Sequence, residues 1–307
     1  MIARDEGRHQ PDDDLLWNES WYLDFATEDG ALGGYLRLGL YPNQGPDRGV
    51  AWYWACLVGE GRPLLLVRDH EVPLPPATAG LEVRSSGLWA ALHCETPFDH
   101  WSAGLEAFAV ALDDPAEAYR GERGDQVALG FDLEWESAGP AYEYPGVTRY
   151  EVSCRVTGEV LVGSERIAVD CPGQRDHSWG HRDWWTFPWC WVAGRLDDGT
   201  AFHASRPEIP GVRYEPGYVL DARSGAGPEP ISAFTVGEPV LGPEGLPESV
   251  DMQLGPLQLA VAPLHHGPVR LDAPDGRVGR LSRSLCRFAE AGGRTGTGWL
   301  ELNQPPT

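Results

Sequence analysis

Val127-Ala128-Leu129-Gly130-Phe131-Asp132-Leu133-Glu134-Trp135 carries a large apolar side chain at every second position, with small or acidic residues between. A period of two suits a β-strand with one face in a core, whereas a helix would repeat its apolar positions every three or four residues. The same alternation returns at Trp21, Leu23 and Phe25, at Leu36, Leu38 and Leu40, at Tyr150, Val152, Cys154 and Val156, and at Trp189, Trp191 and Ala193. Turn-forming clusters punctuate these runs: Glu28-Asp29-Gly30, Pro42-Asn43-Gln44-Gly45, Asp197-Asp198-Gly199 and Asp275-Gly276. With 38 Gly and 27 Pro there is little room for long helices, and the one helical candidate is Pro115–Tyr119 behind Asp113-Asp114. More than a dozen short strands give an all-β fold class of antiparallel barrels or sandwiches with very little helix. Val50 to Val58 is apolar on both faces, so this strand is covered on both sides, either between domains or between a barrel wall and its contents. Glu19, Arg37 and Glu151 alternate with apolar positions and point either into a barrel or toward a solvated sheet face.

A chain of 307 residues exceeds one average domain and is expected to form two. The division is placed near residue 165, giving an N-terminal domain over 15–165 and a C-terminal one over 166–307, with residues 1–14 as a disordered acidic leader. Arg149–Val156 and Gly158–Val162 read as a hairpin before that boundary, and 224–230 and 237–247 as Gly/Pro-rich surface loops. The 46 acidic residues outnumber the 24 basic ones, and the net charge of −22 repels nucleic acid and anionic membranes. No apolar run reaches the ~18 residues of a membrane span, so no stable membrane insertion is expected. An N-terminus without signal-peptide layout makes the cytoplasm the expected compartment. Six dispersed cysteines, none in a C-x-x-C pair, read as buried free thiols. A neutral, hydrophobic small molecule is the partner most compatible with this charge; the oligomeric state is left open.

The chemistry concentrates in Gly173-Gln174-Arg175-Asp176-His177-Ser178-Trp179-Gly180-His181-Arg182-Asp183-Trp184-Trp185, which packs two Asp, two His, two Arg and three Trp into thirteen residues. Charged groups beside aromatic walls are what a small-molecule site requires. They also suit an interdomain crossover in which Arg175, Arg182, Asp176 and Asp183 form a buried ion network and the Trp residues plug the join.

Asp176-His177-Ser178-Trp179-Gly180 resembles the D-H-x-W-G motif of the carotenoid 1,2-hydratase and AttH-like family, whose members carry two tandem lipocalin-like β domains and which includes lipocalin-like Diels-Alderases. The longer stretch 173–185 is similar to an uncharacterised bacterial branch of that superfamily, as are Trp17-Asn18-Glu19-Ser20-Trp21-Tyr22 and Tyr41-Pro42-Asn43. The resemblance implies that His177 and Trp179 line the substrate cavity. It also implies an acid in a downstream Tyr-x-Asp, but the comparable strand here reads Ala201-Phe202-His203-Ala204-Ser205. The Asp is missing, and His203 becomes the replacement.

Protonating an alkene or ionising an allylic alcohol takes an acid in a dry pocket, and Asp176, His177 and His203 are of the right types. Aromatic faces can stabilise a developing cation, a role open to Trp179, Trp184, Trp185, Trp21 and Trp54, though Trp21 and Trp54 equally suit plain core packing. Asp176 either acts as acid or orients a ring nitrogen, and Arg182 is expected to pair with Asp176 or Asp183 and fix the loop. His177-x3-His181 has the spacing of metal ligands on a helix, but a Gly-bearing loop in a β protein does not guarantee that the two rings meet, so neither metal nor other cofactor is expected. The leading expectation is a cofactor-independent enzyme, a hydratase, dehydratase or cyclase, acting on an isoprenoid- or polyketide-like molecule with Asp176 and His177 as acid-base pair. A non-enzymatic carrier and a pericyclic catalyst working by shape alone are the alternatives.

Overall fold

A computed structural model describes residues 1–45, 49–221, 223, 225–242 and 244–305. The chain runs through β1 (Trp17–Ala26), β2 (Leu32–Tyr41), β3 (Val50–Gly59), β4 (Leu64–Pro73), β5 (Leu81–Ser85), β6 (Leu88–Thr96), β7 (His100–Leu112), β8 (Asp125–Ser137), β9 (Tyr142–Glu143), β10 (Arg149–Val162) and β11 (Glu165–His181). These form one antiparallel sheet in the order β4-β3-β2-β1-β11-β10-β8-β7-β6-β5, and a further pairing of Leu64–Leu66 with Val110–Leu112 closes it into a barrel. The second sheet takes β12 (Trp189–Leu196), β13 (Thr200–Pro207), β14 (Gly217–Asp221), β15 (Glu229–Pro230), β16 (Phe234–Val236), β17 (Val240–Leu241), β18 (Pro247–Leu254), β19 (Leu257–His266), β20 (Val269–Asp272), β21 (Val278–Glu290) and β22 (Thr295–Gln304). Its order is β15-β14-β13-β12-β22-β21-β19-β18-β16, with β17 on β18 and β20 on β21. Two tandem lipocalin-like β domains result. Among the described residues helix is confined to short 3-10 turns, including Pro115–Tyr119, where the Asp114 carboxylate accepts from the Ala116 amide as a cap. Among the described residues no helix is long and apolar enough to cross a membrane.

The alternation over 127–135 is that of β8, whose Leu129, Phe131, Leu133 and Trp135 are buried in the barrel. Both faces of β3 are covered as expected. Ala51, Tyr53, Ala55 and Leu57 enter the first barrel, while Trp52, Trp54, Cys56 and Val58 pack with Trp185, Trp191, Leu285 and Trp299 in a core between the sheets. Buried hydrogen bonds stitch this seam: the Tyr35 hydroxyl donates to the Gly267 carbonyl (2.5 Å), Trp299 Nε1 to the Phe25 carbonyl (3.0 Å), and Tyr218 to Gln174 Oε1 (3.0 Å).

Four expectations change. The sheets divide at residues 182–188, not near 165, because β11 pairs with β1 from Trp17↔His181 to Phe25↔Gly173 and so completes the first barrel. The D-H-x-W-G motif therefore belongs to the N-terminal domain. The supposed hairpin within 149–162 is one strand: Gly158, at φ +132°, lies so close to the neighbouring strand that a Cβ there would meet the Asp132 carbonyl oxygen at 2.1 Å. Its hairpin partner is β11, reached through Gly163-Ser164. Residues 1–14 are ordered against the barrel: Ala3–Glu6 forms a 3-10 turn, and the buried Glu6 carboxylate accepts from Arg175 Nη1 and Nη2 (3.2 and 3.0 Å), from the Phe98 amide (3.0 Å) and from Trp101 Nε1. Finally, the expected loops contain the short strands β15 and β17, while positions 224 and 243 within them lie outside the described residues. All six cysteines are free, and Cys94 alone is exposed.

Candidate functional site

Successive side chains of a strand point to opposite faces, and this decides what the motif on β11 can do. Arg175, His177 and Trp179 enter the first barrel; Gln174, Asp176 and Ser178 face the seam. Asp176 and His177, expected to act as a pair, are separated by the sheet itself.

On the barrel face, His177 Nε2 lies 2.9 Å from Glu19 Oε1 and its Nδ1 lies 2.8 Å from the Asp5 carbonyl. His9, from the leader, places Nδ1 2.7 Å from the same Glu19 oxygen. Indoles hold both rings: His177 stacks on Trp21 at 4.4 Å and His9 on Trp179 at 3.8 Å. Burial pushes His177 down. Burial pushes Glu19 up, but His177 and His9 outweigh it and hold the carboxylate below its ordinary range. His9, Glu19 and His177 are a group that could hold a metal ion. Trp21 is core, as its position inside the barrel and its bond to the Glu6 carbonyl (3.3 Å) show. His181, four residues along the strand and therefore about 13 Å on, is exposed and bonds Asp14 (2.8 Å), so the His177-x3-His181 pair does not assemble.

On the seam face a row of side chains crosses five strands in register: Glu151, Asp176, Tyr22, Arg37 and Trp54. Arg149 joins both acids, with Nη2 2.8 Å from Asp176 Oδ2 and 2.8 Å from Glu151 Oε1. Glu151 also accepts from Gln174 Nε2 (2.9 Å) and Trp191 Nε1 (3.2 Å). Burial pushes the Asp176 carboxyl up to about 7 against the pull of Arg149, whereas His203, Arg149 and the two donors keep Glu151 low despite its burial. His203 approaches from β13. Its Nδ1 is 3.0 Å from the Val192 carbonyl, its Nε2 is 2.6 Å from the Tyr144 hydroxyl, and burial pushes it down to about 4. With Nδ1 directed at a carbonyl and burial disfavouring its charged form, His203 is placed to accept from Tyr144, whose hydroxyl also lies 3.3 Å from Glu151 Oε1.

Arg37 lies between two indoles, 4.6 Å from the Trp54 ring and 4.7 Å from that of Trp184, in a geometry worth about 0.5–2 kcal/mol per contact. Gly39 makes the space, since a Cβ there would meet Arg37 Nη1 at 2.5 Å. Around this sandwich several buried polar atoms have no hydrogen-bond partner among the described residues: Arg37 Nη1, Trp54 Nε1, Trp184 Nε1 and both ring nitrogens of His70. His70 stacks on Trp52 at 4.2 Å, and both line a cleft of about 650 Å³ at the edge of the seam with Val50, Val72, Leu74 and Ala273. This volume is typical of a ligand site. Trp185 is fully packed, donating from Nε1 to the Leu271 carbonyl (3.1 Å). Arg182 pairs with neither expected carboxylate; it donates to the carbonyls of His181 (2.8 Å) and Thr148 (3.0 Å). Asp183 is taken by the Trp185 amide (2.9 Å) and Thr186.

Six of the nine expected site residues, Asp176, His203, Trp54, Arg182, Trp184 and Trp185, thus lie at or beside the seam, and His177, Trp179 and Trp21 lie in the barrel. Sequence reasoning missed Tyr144, Arg149, His9 and Glu6, and left Glu19, Arg37 and Glu151 without a role. The last three are charged residues set beside apolar positions of strands, which was the available signal.

Two closely packed β domains with a polar seam define a two-domain lipocalin-like protein, and its D-H-x-W-G strand agrees with the AttH-like resemblance. The chain belongs to the DUF7064 family, a domain of unknown function, which matches residues 3–306. No curated protein matches the sequence. Among solved structures, an AttH-type protein from Nitrosomonas europaea is similar at a TM-score of 0.68 and 16% identity, over 97% of this chain and 95% of that one. Kievitone hydratase from Nectria haematococca is similar at 0.62 and 10% identity, over 95% and 90%. CghA, also solved with Sch210972, is similar at 0.56 and 12% identity, over 95% and 89%. At these identities the likeness establishes the fold; chemistry has to come from the site.

Proposed function

We propose that this protein is an enzyme that binds a hydrophobic small molecule, isoprenoid- or polyketide-like, in the seam between its two sheets and acts on it by adding or removing water or by cyclisation, with Asp176 as proton donor. The observation that carries this reading is the seam row, where a buried carboxyl is in register, across Tyr22, with Arg37 and Trp54, and Trp184 covers the other face of Arg37. A carboxyl protonated near neutral pH can donate to an alkene or a leaving hydroxyl, and aromatic faces stabilise the resulting cation without trapping it. The donors of Arg37, Trp54 and Trp184 that have no partner among the described residues suit an oxygen acceptor on the substrate, and the ring of Trp54 lies 5.6 Å from that of His70, which lines the cleft. That one structural neighbour is a hydratase fits the water chemistry.

The test is to incubate the full chain with a panel of isoprenoid alcohols, alkenes and polyketide-derived enones and follow gain or loss of water, or isomerisation, by mass spectrometry and chromatography. Asp176→Asn should lower turnover by about 10²–10⁴-fold while ligand-induced tryptophan quenching persists. Wild-type turnover in that variant would remove Asp176 from the mechanism. Saturable quenching without product from any panel member would favour the carrier, and a rate unaffected by both pH and the substitution would favour pericyclic catalysis.

A further inference from the structure

We infer that His9, Glu19 and His177 form a binding site for one divalent first-row transition ion on the barrel side of β1 and β11. The three donor atoms lie within 4.8 Å of one another. Glu19 Oε1 is 2.7 Å from His9 Nδ1 and 2.9 Å from His177 Nε2. In a tetrahedral site with bonds of about 2.1 Å the ligand atoms stand about 3.4 Å apart, so these donors, now at hydrogen-bond distance, open by roughly half an ångström or more to take an ion.

Hydrogen-bond accounting points the same way. A neutral imidazole carries one N–H, yet both nitrogens of His177 face oxygen acceptors, Glu19 Oε1 on one side and the Asp5 carbonyl on the other. Satisfying both at once takes a further positive charge at the ring, either a second ring proton or a metal ion, with the Tyr150 hydroxyl 3.4 Å from Nδ1 beside the Asp5 contact. A metal ion at Nε2 supplies it and leaves the Nδ1 proton for Asp5, the outer-shell arrangement that fixes the tautomer of most metal-bound histidines. Of the other two ligands Glu19 has such a contact, its Oε2 accepting from the His9 amide at 2.9 Å, whereas His9 Nε2 has no hydrogen-bond partner among the described residues and stands 3.7 Å from Asp5 Oδ1. Trp21 and Trp179 fix the two ring planes.

Two imidazoles and one carboxylate favour zinc, iron(II), cobalt or manganese over calcium or magnesium, which take all-oxygen sets. Since His9 belongs to the leader while Glu19 and His177 belong to paired strands, the ion clips the leader across the barrel. This site is on the opposite side of the sheet from the seam, and it stands or falls independently of the seam chemistry.

The full chain, stripped with a chelator, is titrated with Zn²⁺ by calorimetry and with Co²⁺ by visible absorption. The expected result is one ion per chain, a Co²⁺ d–d spectrum, and a rise in melting temperature on loading. His9→Gln, in a part-buried leader residue that leaves the barrel core untouched, and Glu19→Gln should each weaken binding by more than the roughly 10–100-fold caused by loss of an outer-shell partner. His181→Ala should bind like the wild type. Absence of stoichiometric binding of both ions overturns the inference, as does unchanged affinity in folded His9→Gln and Glu19→Gln chains.

Discussion

At the scale of single residues, the main finding is that two neighbours in sequence do unrelated work. Asp176 and His177 were both legible as polar groups in an aromatic context, but the phase of β11 was not, because it is set by which face meets the leader and which meets the second sheet. Asp176 pairs with Arg149, 27 positions away, and Tyr144 reaches His203 across 59. No local pattern encodes such partners. If Asp176 donates a proton with its carboxyl near 7, turnover should be high below that pH and fall as pH rises through it. A pH–rate profile of the wild type checks this, and a flat profile between pH 5 and 9 would contradict it. Arg37 offers a second test at this scale. Arg37→Met keeps much of the stem between Trp54 and Trp184 but removes the cation, and should raise KM for an oxygen-bearing substrate more than for its hydrocarbon analogue.

At the scale of elements, strands were readable wherever alternation was clean, as in β8, and where both faces were apolar, as in β3. The leader was misread because acidic composition suggests solvation, whereas Glu6 finds a buried cation 169 residues downstream. Removing one member of a buried ion pair strands the other, so Glu6→Ala should cost about 3–5 kcal/mol, measurable by denaturant unfolding. Destabilisation below 1 kcal/mol would mean that the leader is only loosely seated. The boundary was misplaced because 149–162 was read as a closed hairpin, whereas it is one strand whose partner β11 runs on to pair with β1, and the missing side chain of Gly173 lets β11 approach β1. A Cβ there would meet the Asp24 carbonyl oxygen at 2.2 Å and Val156 Cγ2 at 2.5 Å. Gly173→Ala should therefore lose about 1–3 kcal/mol through overpacking, with a matching fall in melting temperature.

For the whole molecule, the two sheets meet through a face that carries ionisable groups as well as a core, and its charge states tie assembly to pH. Burial raises Asp24 to about 7, so the stability it contributes is complete below the ordinary carboxylate range and is lost as pH rises through 7. His203, lowered to about 4, has the opposite sign: its contribution is complete above the ordinary histidine value and is lost as pH falls through 4. Asp24→Asn should therefore gain melting temperature relative to the wild type progressively from pH 5 to pH 8; a difference independent of pH would show that Asp24 is not proton-linked to folding. The pairing of β1 with β11 has one more consequence, for the order in which the chain can fold. Leader residues Glu6 and His9 emerge from the ribosome some 170 residues before Arg175 and His177. β1 likewise waits with one edge unpaired until β11 has been made. Closure of the first barrel is thus a late event in synthesis, and non-local pairing of this kind folds slowly. A nascent chain arrested before residue 173 should remain protease-sensitive throughout its N-terminal half.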